Sequence, residues 1–144
     1  MDKNLELIKN VFRIMESGDL DELDKYIDAN INEHTPDPAF NSEKEGLEGV
    51  KSILAKYKKI FPDLKVEIKE LFGDGEKYVV YSVFKGTQKG KLKEIPPTNK
   101  KVAFENIDIF KISNGKITDH WGVGDNLGLM MQLGIITEKE LQPH

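Results

Sequence analysis

The hydrophobic period of the chain changes from helical to alternating near Pro62, and that change limits the fold more than any other feature. Before it, apolar residues recur at helical spacing: Leu5, Ile8, Phe12 and Met15 with Val11 beside them, then Leu20, Leu23 and Ile27, then Leu47, Val50, Ile53, Leu54 and Tyr57. After it, Leu64, Val66 and Ile68 alternate with charged residues. The stripes predict an amphipathic helix ended by "SGD" at Ser17 to Asp19, and a short second helix for which Asp19 and Glu22 have capping-box spacing. They predict a third helix that stops at Phe61, because a residue before proline is disfavoured in helix. Between the second and third, Pro36 and Pro38 leave a long loop after a brief strand around Ile31 to His34.

The second half reads as strands. "GDG" at Gly73 to Gly75 joins Val66 to Ile68 with "KYVVYSVFKGTQ", and Asn114-Gly115 joins "KVAFENIDIFKI" with "KITDHWGV". Helices ahead of hairpins give an α+β order with an antiparallel sheet, since parallel sheets need helix and strand to alternate. A last helix, with Leu127, Met130, Met131 and Gly134 as its stripe, would close one end of the sheet, and Thr137 with Glu140 has cap spacing in the tail. No linker or repeat interrupts residues 1–144, so one α+β domain is expected.

Charge and residue usage exclude several function classes. A net charge of -4 and a single arginine, Arg13, argue against a grip on nucleic acid, which needs clustered cations and favours the arginine fork. The absence of cysteine removes disulfides, thiolate metal sites and thiol nucleophiles. Asp2, Glu6 and Lys9 interrupt the N-terminal apolar pattern, and no window reaches the ~20 apolar residues of a membrane span. The expectation is a cytoplasmic protein with neither nucleic acid nor membrane as partner.

Alternation along the third long strand places Val102, Phe104, Asn106, Asp108, Phe110 and Ile112 on one side. Asn106 and Asp108 thus lie between aromatics, where they either face a cavity or sit at an exposed or interface surface. His34 is either a surface histidine or a base, and His120 either bonds within the sheet or acts chemically. No HExxH or close histidine pair favours a metal, and neither GxSxG nor a phosphate loop is present. His144 is expected at a disordered end. Carboxylate or histidine acid–base work in apolar surroundings is the chemistry left. Asp125, just before "NLGLMM", fits a helix N-cap as well as a proton-transferring group.

Several short motifs stand in a fixed order: Gly86, Thr87 and Gly90 as GTxxG, Pro96 to Thr98 as PPT, "DIF" at Asp108 to Phe110, and "GKI" at Gly115 to Ile117. They are followed by His-Trp-x-x-x-Asp from His120 to Asp125 and by Gln-Leu-Gly at Gln132 to Gly134, and "FPD" at Phe61 to Asp63 precedes them. With these the chain resembles the SnoaL-like polyketide cyclases and the predicted ester cyclases. The resemblance implies the fold of nuclear transport factor two, a cone-shaped curved antiparallel sheet packed on N-terminal helices around a deep pocket. It implies cofactor-free and metal-free intramolecular aldol condensation of a small, largely apolar carbonyl compound. The acid–base aspartate falls on Asp125, with His120 beside it, and His34, Phe61, Phe104, Asn106, Asp108, Phe110 and Trp121 are the substrate-binding candidates. The chain has Gln88 where members commonly carry histidine after GT, and Asn99 where they carry glycine after PPT. A non-catalytic small-molecule binder and an isomerase or dehydratase of the same fold are the alternatives. A homodimer is expected, because a cone leaves one sheet face outside and Tyr78 to Phe84 is apolar on both sides.

Overall fold

Asp2 accepts a hydrogen bond from the Asn4 amide and Gly18 closes the other end with φ +82°, so the first stripe forms α1 (Lys3–Ser17) and buries Leu7, Ile8, Val11 and Phe12. The structure is a computed structural model that describes residues 2–40 and 42–142, and His144 lies outside them. The second stripe departs from the sequence expectation. Leu20–Lys25 is a 3₁₀ turn, Asp19 makes no side-chain cap bond, and Ile27 opens β1 (Ile27–Glu33) instead of ending a helix. Sheet bonding outweighs a further helical turn here: Ile27 pairs with Ile117, and the Ile117 amide donates to the Tyr26 carbonyl at 2.8 Å.

The third stripe forms α2 (Gly46–Ile60), which stops at Phe61 ahead of Pro62. Four long strands follow: β2 (Lys65–Asp74), β3 (Lys77–Thr87), β4 (Lys101–Ser113) and β5 (Lys116–Gly124). The sheet is curved and unclosed, with order β1-β5-β4-β3-β2. β2 to β5 pair antiparallel, but β1 lies parallel to β5 at the edge. That parallel edge was not expected, since β1 precedes the hairpins by a whole helix and its direction follows from the long crossover.

Helices cover one face of the sheet. One apolar group joins Ile8, Phe12 and Leu54 to Val80, Phe110 and Ile117; a second joins Phe61, Phe84, Phe104 and Leu92 to Leu129 and Leu133. The last helices are α3 (Asn126–Gln132) and α4 (Glu138–Leu141). α3 buries Leu129 and the following Leu133, while Leu127 is exposed; its inward stripe therefore differs from the one expected, because Leu129 and Leu133 complete the aromatic group around Phe61 and Phe104. In the tail, the Thr137 hydroxyl reaches the Glu140 carboxylate but no cap bond to backbone forms. Among the described residues no helix is long and apolar enough to cross a membrane.

The long connection from β3 to β4 is held by polar staples. Asp63 accepts from both the amide and the hydroxyl of Thr87, each at 2.7 Å, and these bonds hold its carboxyl below the usual range. Buried Gln88 donates to the carbonyls of Gly90 and Pro96 and accepts from the amide and hydroxyl of Thr98. The "FPD", "GT" and "PPT" elements thus bind one another, and Gln88 spends its amide on the loop.

Candidate functional site

A bulge in β5 decides which side chains enter the cone. Ile117 pairs with Ile112, yet Asp119 pairs with Lys111 and His120 with Phe110, so β5 carries one residue more than β4 at this point. Simple alternation from Ile117 would send Asp119 and Trp121 inward. The extra residue turns His120, Gly122 and Gly124 to the inner face, opposite Phe110, Asp108 and Asn106.

The imidazole of His120 lies between two carboxylates. Its Nε2 is 2.7 Å from Asp108 Oδ1 on β4, and its Nδ1 is 2.5 Å from Glu33 Oε2 on β1. Burial works against the cation, but the two flanking carboxylates prevail and push the His120 pKa up to about 9. Both ring nitrogens are then donors, each already committed. Burial likewise opposes ionisation of Glu33, and the bonds from His120, from the Thr35 amide and from the Thr35 hydroxyl overcome it, lowering the carboxyl below its ordinary value.

This chain of groups stands on the wall of a cavity of about 590 Å³ lined by β1, α1, α2 and the inner face of β4 and β5. Its apolar surface comes from residues such as Phe12, Ile31, Leu54, Phe84 and Phe110. Gly122 keeps the wall open: a Cβ there would stand 2.5 Å from Asp108 Oδ1 and 2.9 Å from His120 Nε2. The segment after β1 covers the cavity. The Thr35 hydroxyl accepts from the Gly122 amide at 2.7 Å, Asp37 accepts from Asn126, and the Phe40 ring stacks on Tyr57 at 4.2 Å.

The candidates from the sequence divide between faces. Asn106, Asp108, Phe110 and His120 line the cavity and His34 borders it with its ring turned to the outer face, whereas Phe61, Phe104, Trp121 and Asp125 are not among its lining residues. Phe61 and Phe104 pack on each other in the core with ring centroids 5.9 Å apart. Trp121 lies on the outer face, stacked 4.3 Å from the His34 ring. The His34 Nε2 reaches Asp119 Oδ1 at 2.8 Å, and that bond, with one from Thr118, holds the Asp119 carboxyl below its usual range. Asp125 is exposed and caps α3, accepting from the Gly128 amide at 2.8 Å. Among the described residues no group of three or more potential ligands stands in a geometry that could hold a metal ion.

Glu33 and Tyr57 belong to the cavity and were not singled out from the sequence. In the sequence Tyr57 reads as one more apolar position of α2, and Glu33 as part of the brief strand around Ile31 to His34. The one available signal was the alternation of Gly122 and Gly124 in β5, which marks a strand face stripped of side chains opposite Asp108 and Asn106.

Two outcomes are expected. The imidazolium of His120 is favoured by folding, so its contribution is fully present below pH 6.5 and is lost as pH rises through about 9. Thermal midpoints should therefore fall between those pH values for the natural protein, and the deficit of His120→Gln should be largest near pH 6 and shrink toward pH 10. A deficit that is constant with pH would contradict the charged clamp. For Asp125, alanine should cost about 1 kcal/mol in denaturant titrations while asparagine, an equally good cap, should be nearly neutral.

The comparisons with known proteins agree with this architecture. No curated protein sequence matches the chain. Among solved structures, TsrD from Streptomyces laurentii superposes with a TM-score of 0.83 at 28% identity, over 94% of this chain and 99% of that one. A candidate polyketide cyclase from Bacillus cereus gives 0.78 at 27% identity over 94% and 83% of the two chains. Another from Acidithiobacillus ferrooxidans gives 0.81 at 25% over 92% and 95%. The family model for the SnoaL-like polyketide cyclases matches residues 6–133, and the chain belongs to that family.

Proposed function

We propose that the protein binds a small, largely apolar carbonyl compound in the cavity and performs cofactor-free acid–base chemistry on it, with intramolecular aldol cyclisation as the reaction class. The observation that carries this reading is the Glu33–His120–Asp108 chain on an apolar wall. Asp108 accepts from the imidazolium through Oδ1, which fixes the carboxylate and leaves Oδ2 without a hydrogen bond to any described residue. In the reaction, Oδ2 takes a proton from the carbon α to a carbonyl, and the C–H electron pair moves to the carbonyl oxygen as an enolate. The enolate carbon then attacks a second carbonyl of the same molecule, forming the ring bond, and the resulting alkoxide recovers the proton from Asp108. Nothing is oxidised or reduced. Glu33 holds the imidazolium in place, and the imidazolium holds Asp108.

This assignment gives proton transfer to Asp108 and leaves Asp125 as the cap of α3. Deuterium exchange α to the carbonyl, followed by NMR across a panel of cyclic ketones and β-keto esters, checks it. Asp108→Asn should lower the exchange rate by about 10² to 10⁴ and Asp125→Asn should leave it unchanged. Equal rates in the natural protein and Asp108→Asn would remove Asp108 from the mechanism, and no exchange with any ketone would favour a binding protein without turnover.

The outer face of the sheet supports a second part of the proposal, a homodimer. Phe72, Val79, Ile109 and Trp121 run across β2, β3, β4 and β5 in register, and Ile107 and Val123 beside them are 47% and 71% exposed. Contiguous apolar surface of this kind marks an association site. Light scattering at micromolar concentration should report twice the chain mass, and Val123→Lys should shift it toward the monomer.

A further inference from the structure

An enolate needs a hydrogen-bond donor at its oxygen, and His120 has none to spare. Its two ring protons go to Glu33 and Asp108. On the same wall the Thr35 hydroxyl donates to Glu33 and the Asn32 amide points to Asp119, while the Ser42 hydroxyl sits on the covering segment and accepts from the Lys44 amide. The Asn106 amide nitrogen is buried without a partner, shut away from the cavity space. Lys44 is exposed on the covering segment.

Tyr57 differs from all of these. It lines the cavity from α2, and its hydroxyl makes no hydrogen bond to a described residue although the ring is held firmly. Phe40 stacks against one side, 10° from parallel, and Phe84 meets it edge-on at 5.6 Å. A ring fixed in this way gives its hydroxyl a definite position, and an unbonded phenol inside a cavity is an unused donor whose acceptor must be supplied by the ligand.

We infer that Tyr57 donates a hydrogen bond to the carbonyl oxygen of the bound compound and holds the charge that develops there when Asp108 removes the α proton. The inference rests on the reading of the cavity as a carbonyl site. Burial first, and then the carboxylates of Asp37 and Asp108, push the phenol pKa upward, so the group stays protonated and able to donate at neutral pH. Tyr57 and Asp108 line the same cavity, so donor and base face one bound compound. The donor and the base act on the enolising carbonyl of such a compound, and a bicyclic aryl ketone, with a carbonyl oxygen, an α C–H and an apolar ring system, is a binding probe for that half of it.

The test uses 1-tetralone and tetralin, which share a ring system and differ by the carbonyl. Tyr57→Phe retains both ring contacts and removes only an unbonded hydroxyl, so its thermal midpoint should match the natural protein. Calorimetric titration should show 1-tetralone bound about 5- to 10-fold more weakly by Tyr57→Phe, from the loss of one hydrogen bond, with tetralin unaffected. In the infrared, the stretch of ¹³C-carbonyl tetralone bound to the natural protein should lie below its value in hydrocarbon, and should return toward that value in Tyr57→Phe. Identical affinity and identical stretch in the two proteins would overturn the role of Tyr57, as would tetralone binding no tighter than tetralin. Binding results as expected, together with no α-deuterium exchange, would keep Tyr57 as the carbonyl donor and reject the proposed catalysis alone.

Discussion

His120 ties three strands together with one side chain. It stands on β5, reaches β4 through Asp108 and β1 through Glu33, and so fastens the parallel edge strand to the antiparallel sheet with charge as well as backbone bonds. The same contact sets the state of the cavity. The imidazolium is hydrogen-bonded to a carboxylate on each side, which offsets the cost that its charge would carry alone on an apolar wall. Immediately beside it the outer face repeats the pairing with roles exchanged, from His34 just after β1 to Asp119 on β5. The register between the strands is therefore specified from both sides of the sheet.

Members of both apolar groups line the cavity, Phe12, Leu54 and Phe110 from one and Phe40 and Phe84 from the other. α1 packs on Phe110 and Val80, Phe61 and Phe104 pack with α3, and Met15, Tyr57 and Val66 touch both groups. Several polar residues of the short motifs hold this frame. Thr87 binds Asp63, Gln88 clasps the loop that carries Thr98, and Asp125 starts α3. These motif residues are staples of long connections, whereas the polar groups of the cavity wall stand on the strands.

Much of the fold was legible because burial on one face imposes a period. The stripe of α1 and the alternation of Val102, Phe104, Asn106, Asp108, Phe110 and Ile112 both appear as read. Asn106 and Asp108 line the cavity, and Phe61 does not, since an aromatic beside proline at the end of α2 is equally suited to a core. The short segments were less legible. Leu20 to Ile27 has helical spacing over barely two turns, a length at which sheet partners decide the outcome.

The amino-acid order by itself determined the helix-then-hairpin layout, the inward face of β4, the absence of thiol chemistry and the membership of an α+β family. It could not determine the inward face of β5, because the bulge beside Ile117 depends on how β5 meets β4, and one added residue exchanges every side chain beyond it between the two faces. Tertiary structure alone put His120 inside and Trp121 outside, and brought Glu33 and Tyr57, from segments far apart in the chain, to one wall. Periodicity is local, whereas a cavity wall such as this one is made by contacts between strands and helices that only the folded register brings within hydrogen-bonding distance.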